Sequence, residues 1–401
     1  MSAGLSKARL EWMHEVLAGY VERAALPGLV SVVDRHGEVH VDPIGTTAVG
    51  GGAPMRADTI FRISSMTKPV TAVATLILVE ECRLRLDEPV DRLLPELADR
   101  QVLRTIESAV DDTVPARRPI TVRDLLTFRL GFGGLWTPDP LPILAAAGAL
   151  GLAVGPPQPA SVPDPDEWMR RIGTLPLMYQ PGERWMYNTG SDILGVLVAR
   201  ASGQPFEMFL RERIFEPLGM VDTSFGVPPE KLDRFTTSYV TDPATGTLSV
   251  YDSPDGQWSH PPAFPAGSAG LVSTAEDFVA FGRMLLARGR APDGRRILSR
   301  PTVETMTTDH LTRAQKDRSE MVPGYWDNHG WGFGVSVVTR RDDPTEPVGK
   351  YGWDGGLGTT WSSDPVEDMV TILMTPAMWS SPDPPPVCRD FWTCAYGAID
   401  D

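Results

Sequence analysis

Read from its N-terminus, the chain opens with apolar positions at helical spacing. Leu10, Met13, Leu17, Tyr20 and Val21, with Trp12 and Val16 beside them, predict one helix that packs a single face. Two strand-like runs follow, Gly28 to Val33 and Glu38 to Ile44, around Asp34-Arg35-His36-Gly37, and this pattern predicts a hairpin. Phe61 to Ile63 then runs into Ser64-Ser65. Val70 to Val79 is apolar almost throughout, as a buried helix would be.

The middle of the chain reads as helical and punctuated by proline. Thr121 with Asp124 has the spacing of a capping box and predicts a short helix over Val122 to Phe128. Residues 137–165 are rich in proline and small side chains and predict a long surface excursion or lid. Asp192 to Ala201 and Phe206 to Phe215 predict two further helices, and Ser273 or Thr274, followed by Asp277, caps another that runs through Leu286. Strand character returns over Trp331 to Val338, Tyr351 to Ser362 and Met369 to Met374, and Val387 to Ile399 predicts a final helix.

There are no internal repeats. The order implies an α+β fold in which early and late segments share one sheet. The expected division is a discontinuous sheet domain over residues 1–80 and 266–401, with a mainly helical insertion over 81–265.

Composition narrows the function. With 401 residues, 42% of them apolar, the chain can bury a large core. Its net charge of −15 repels phosphate backbones, so nucleic acid is not an expected partner. Cys82, Cys388 and Cys394 form neither a disulfide framework nor the paired spacing of a zinc site, and the six histidines show no ligand spacing. No metal or cofactor is expected. The N-terminus lacks a basic segment followed by an apolar one, and the longest apolar run, Ile143 to Gly155, is too short to span a bilayer. The expectation is a cytoplasmic protein with no membrane partner. Nothing in the sequence fixes the oligomeric state.

The candidate chemistry begins at Ser65-Met66-Thr67-Lys68. Residues three apart on a helix share a face, so a lysine here can touch the serine oxygen. A buried, deprotonated lysine can take the serine proton. The first turn of a helix also offers free N–H groups to an oxyanion. Only Lys68, of five lysines, has a serine three positions before it. Such a tetrad arises by chance about 0.3 times in a chain of this composition, so its context carries the argument. A lysine that opens an otherwise apolar helix needs a partner or a task.

This stretch resembles the nucleophile motif of the serine β-lactamases, DD-peptidases and family VIII carboxylesterases. The resemblance runs from about Pro27 to Met374. Leu125 to Gly131 is similar to the family's loop after its first inserted helix, and Ala266 to Thr274 to its return segment. The resemblance implies that Ser65 is the nucleophile and Lys68 its activating partner. Tyr187 matches the tyrosine of the family's Tyr-x-Asn motif, which implies a base and then a leaving-group acid, its phenolate favoured beside Lys68. Thr189 stands where the family has Asn, and Asn188 sits one place early; both are candidate substrate contacts.

For the third motif the resemblance implies Trp353-Asp354-Gly355-Gly356, lining the substrate, with the backbone of Ser65 and Gly356 as the oxyanion hole. A competing register, Lys350-Tyr351-Gly352, would supply a cation for a substrate carboxylate. His260 lies on an expected rim loop, where a surface role outweighs a catalytic one.

The absence of a Gly-x-Ser-x-Gly elbow argues against an α/β-hydrolase. The leading expectation is a carboxylesterase for small acyl esters that works through an acyl-enzyme on Ser65. The alternatives are an acyltransferase, an amidohydrolase or D-aminopeptidase with Asp354 holding a substrate amine, or a weak β-lactamase. From another class comes a catalytically silent binding homologue.

Overall fold

The computed structural model describes residues 4–135, 139–152, 154–242, 244–319 and 321–401. Seven strands form one antiparallel sheet: β1 (Gly28–Arg35), β2 (Glu38–Gly45), β3 (His329–Trp331), β4 (Ser336–Val338), β5 (Tyr351–Gly355), β6 (Thr359–Asp364) and β7 (Met369–Met374). Their order across the sheet is β2-β1-β7-β6-β5-β4-β3. The two ends of the chain meet where β1 pairs with β7, with Val32 opposite Ile372.

Strands β1 and β7 are rich in apolar residues and buried along their length because both faces are covered. Leu29, Val33, Met369 and Leu373 point to one side. There they meet Met13 and Leu17 of helix α1 (Lys7–Glu22) and Phe391 of the C-terminal helix (Pro386–Gly397). Val30, Val32, Val370 and Ile372 point to the other side, into the main core. That core holds Phe278 and Phe281 of the helix Ala275–Leu286 and continues through α2 (Thr67–Glu80) into the helical middle. The two-residue period of the strands thus sorts their side chains into two buried layers.

The middle carries helices and short ribbons. Thr121 and Asp124 form the capping box over Val122–Leu126, and Thr274, rather than Ser273, caps the helix Ala275–Leu286. Among the described residues no helix is long and apolar enough to cross a membrane.

Several expectations change. The run Trp331 to Val338 is two strands, because Gly334 reverses the chain at φ +71°. Tyr351 to Ser362 is likewise β5 and β6, joined by a turn at Gly358 (φ +115°) where any side chain would strike the Thr375 carbonyl. The helix from Phe206 passes through a π turn at Arg211–Phe215 and runs on to Leu218. Residues 137–165 are more packed than a surface excursion: the helix Pro142–Ala149 buries Ile143 and Ala147, and Leu141 and Leu152 are buried beside it. Residues 137, 138 and 153 of that stretch lie outside the described residues. Trp12 is half exposed, off the packed face of α1.

The strand that delivers Ser65 is anchored by a buried charge. Phe61–Arg62 pairs with Val272–Ser273, and the Arg62 guanidinium donates through Nε to Asp252 Oδ2 at 3.0 Å and through Nη1 to the Thr236 carbonyl at 2.7 Å. It lies 3.9 Å from the Phe235 ring centroid. Removing one member of such a pair strands the other charge. Arg62→Met is expected to cost about 3–5 kcal/mol in urea unfolding, and the double variant Arg62→Met/Asp252→Leu to recover part of that loss.

Candidate active site

The nucleophile turn joins strand to helix. Ile63 donates its N–H to the Leu271 carbonyl at 3.1 Å, then Ser64 takes a left-handed conformation (φ 45°) and starts the 3-10 turn Ser64–Met66 that leads into α2. A non-glycine residue in that region is costly and persists only where the surroundings enforce it. The result places Ser65 in the first turn, where backbone N–H groups have no helical acceptor.

Two side chains reach Ser65, and a third supports one of them. Lys68 Nζ lies 2.8 Å from Ser65 Oγ, and Tyr187 donates its hydroxyl to the same Oγ at 2.8 Å. Trp353 donates its indole N–H to the Tyr187 oxygen at 2.9 Å. Lys68 Nζ also donates to the Ser268 carbonyl at 2.7 Å, and it lies 4.4 Å from the Tyr187 ring centroid. Tyr187 is held within an aromatic cluster with Phe128, Trp185, Trp331 and Trp353, and its carbonyl accepts from the Gly134 N–H at 2.8 Å.

Burial governs the charges. It pulls the Lys68 ammonium down to about 7, against a smaller upward pull from Asp192. Burial pushes Asp192 up to about 6, opposed by its hydrogen bond from Ser268 and by Lys68. It also pushes the Tyr187 phenol well up, despite the lowering hydrogen bonds with Ser65 and Trp353. Burial therefore works against the expected phenolate, and here Tyr187 donates its hydroxyl to Ser65. With Lys68 neutral the hydrogens run one way, from Trp353 to Tyr187, from Tyr187 to Ser65, from Ser65 to Lys68, and from Lys68 to the Ser268 carbonyl.

Ser65 and Tyr187 open onto a cavity of about 530 Å³. Phe132, Leu144, Ala147, Leu152, Val154 and Met178 make much of its wall apolar. Trp353, Asp354 and Gly356 line it from the strand side, and Asp354 is the one charged side chain of the described lining. Burial raises that carboxyl to about 7, with Lys350 opposing. Asp354 also borders a smaller adjoining cavity with Lys350 and Glu346. Gly356 presents bare backbone to the space, since a Cβ there would meet nothing.

Other sequence candidates fall elsewhere. Gly355 does not line the cavity; it packs so closely on the Ile63 carbonyl that a side chain would collide. Asn188, at φ 81°, lines the cavity but turns its amide toward Asp192 at 3.4 Å. Thr189 is buried as the first residue of the helix Thr189–Ser202 and is not in the described lining. The Lys350 register is set aside, because Lys350 Nζ donates to the Thr345 carbonyl at 2.8 Å, below the Tyr396 and Trp392 rings. His260 is exposed, bonded to Ser259 Oγ and away from the described cavity lining.

Sequence reading passed over Asp192 and Ser268. Asp192 did leave a signal, a lone acid opening the apolar run Ile193 to Val198, by the same logic that marked Lys68. Ser268 acts through its backbone and left none.

The comparisons fit this geometry. The β-lactamase family model matches residues 13–385. The chain belongs to the β-lactamase family. Within that family it is 37% identical over 358 residues to protein Rv1367c of Mycobacterium tuberculosis, covering 87% of this chain and 85% of that one. It is 31% identical to esterase EstB of Burkholderia gladioli, over 87% and 86% of the two chains. The solved structure of EstCE1, described as a hydrolase with promiscuous acyltransferase activity, matches with a TM-score of 0.80 over 97% and 99% of the chains; at 22% identity this carries the fold alone.

The burial of Lys68 predicts a pH dependence for this family member. A fluorophosphonate probe should label Ser65 faster as pH rises through about 7, because loss of the Lys68 proton frees a base for the serine. Mass spectrometry of the labelled peptide across pH 5 to about 9 checks this, with Ser65→Ala unlabelled.

Proposed function

We propose that the protein is a carboxylesterase that forms an acyl-enzyme on Ser65 and acts on neutral, apolar esters. The observation that carries the reading is the pair of 2.8 Å contacts from Lys68 and Tyr187 to one serine oxygen. Neutral Lys68 takes the Ser65 proton while Oγ attacks the ester carbonyl carbon. The N–H groups of Ser65 and Gly356 receive the oxyanion. Tyr187, with Trp353 donating to its oxygen, passes a proton from Lys68 to the departing alkoxide as the carbon–oxygen bond breaks. A water then attacks the acyl carbon as Lys68 takes its proton by way of Tyr187, the bond to Ser65 Oγ breaks, that proton returns to Oγ, and the acid leaves.

The cavity wall supports the substrate class. An apolar chamber whose described lining holds one charged side chain, an acid, favours uncharged acyl and alcohol groups, and its described residues give a substrate carboxylate no cation to meet. That weighs against β-lactams and peptide C-termini. A second reading, acyl transfer to an alcohol, draws on the volume of about 530 Å³, which leaves room for an acceptor larger than water.

Wild type should hydrolyse p-nitrophenyl acetate and butyrate and leave nitrocefin nearly untouched. Ser65→Ala should abolish ester turnover, and Tyr187→Phe should lower kcat by about 10²–10⁴-fold, the usual worth of a positioned acid–base group. Ester turnover that survives Ser65→Ala would sink the assignment.

A further inference from the structure

We infer that Asp192 is a positioning residue for the Ser65–Lys68 pair: through the Ser268 backbone and its own negative charge, it holds the Lys68 amine in place and keeps it able to carry a proton. The inference rests on the roles of Ser65 and Lys68 proposed above.

Ser268 faces two ways. Its N–H donates to Asp192 Oδ1 at 3.0 Å, and its carbonyl accepts from Lys68 Nζ at 2.7 Å. One residue's backbone thus links the acid to the amine. The segment around it is tied to α2 at two points: Thr71 Oγ1 donates to the Gly267 carbonyl at 2.7 Å, and the Leu271 N–H donates to Thr67 Oγ1 at 3.1 Å. On the other side Gly267 packs so tightly on the Ser191 carbonyl that a side chain there would collide. Asp192 lies in the first turn of the 14-residue helix Thr189–Ser202, where the helix dipole favours a carboxylate. Asn188 Nδ2, at 3.4 Å, steadies its second oxygen.

Charge completes the argument. Lys68 is wholly buried, and burial alone would push it further toward the neutral amine. Such an amine is a poor base, because it cannot hold the proton it takes. Of the titratable groups that face Lys68, Tyr187 stays protonated and offers its ring, and Ser65 is the proton donor. Asp354, on β5, acts on Tyr187. Asp192 is the carboxylate whose field reaches Lys68.

A purely structural role for Asp192 makes a different prediction. Asn has the same shape and keeps an acceptor for the Ser268 N–H, so it would replace Asp192 without moving the Lys68 titration. The five lysines make the test clean, since protein labelled with [¹⁵N]lysine carries five Nζ sites. Lys68 is assigned by its loss in Lys68→Arg and followed with pH in wild type and Asp192→Asn, beside kcat and KM for p-nitrophenyl butyrate. In Asp192→Asn the Lys68 midpoint should fall by about one pH unit or more, with the acid limb of kcat/KM moving alongside. The kcat plateau should drop about tenfold to a hundredfold while KM changes less than about threefold.

A midpoint within about 0.3 pH units of wild type overturns the inference, however much activity is lost. If Asp192→Asn does not fold, wild type decides: the Lys68 curve must show a second inflection where Asp192 titrates, and a simple one-site curve overturns it. These spectra are independent of turnover. They can fail while Ser65→Ala still abolishes hydrolysis, and Ser65→Ala can keep its activity while they succeed.

Discussion

A buried amine beside a serine is the constraint on which the rest of this structure depends. Lys68 opens a helix whose next ten residues are almost all packed in the core. An ammonium there would pay a desolvation cost with one carboxylate to offset it. Burial brings the amine within reach near neutrality, and an amine 2.8 Å from a hydroxyl is a base in waiting. What surrounds it serves that state: the Ser268 carbonyl orients one N–H, the Tyr187 ring covers one side, and the Asp192 charge keeps protonation within reach.

The fold supplies rigidity for this arrangement from two directions. From below, the left-handed Ser64 and the anchored Arg62 fix the turn that carries Ser65. From the side, β5 brings Trp353 against the Tyr187 hydroxyl and leads to Gly356 on the cavity wall, with Gly355 allowing the close approach to Ile63. Because β5 is drawn from the end of the chain and Ser65 from its start, the site exists only when the antiparallel sheet has closed. Groups held in place by packing in this way can act without reorganising during the reaction.

Much of this was legible in the residues themselves. Apolar-rich runs at 28–33 and 369–374 marked strands, and the lone lysine in an apolar helix, three residues after Ser65, marked the nucleophile. Glycine-led reversals were harder to place, because Gly334 and Gly358 sit inside stretches whose other residues all favour strand. Desolvation was the least readable quantity. Sequence puts Lys68 near Tyr187 and suggests a phenolate, but the aromatic cluster that closes over the phenol is assembled from segments far apart in the chain. The same blindness hid Ser268, which contributes only its backbone.

The most direct test of the account is to trap the intermediate. Wild type and Ser65→Ala would be mixed with p-nitrophenyl butyrate, quenched in acid within the first turnovers, digested and examined by mass spectrometry. The account predicts one butyryl group on the wild-type peptide that carries Ser65, accumulating more slowly below pH 7 as Lys68 takes up its proton, and none on that peptide in the variant. A butyryl group on any other residue, or ester turnover with no acylated peptide at all, would contradict it.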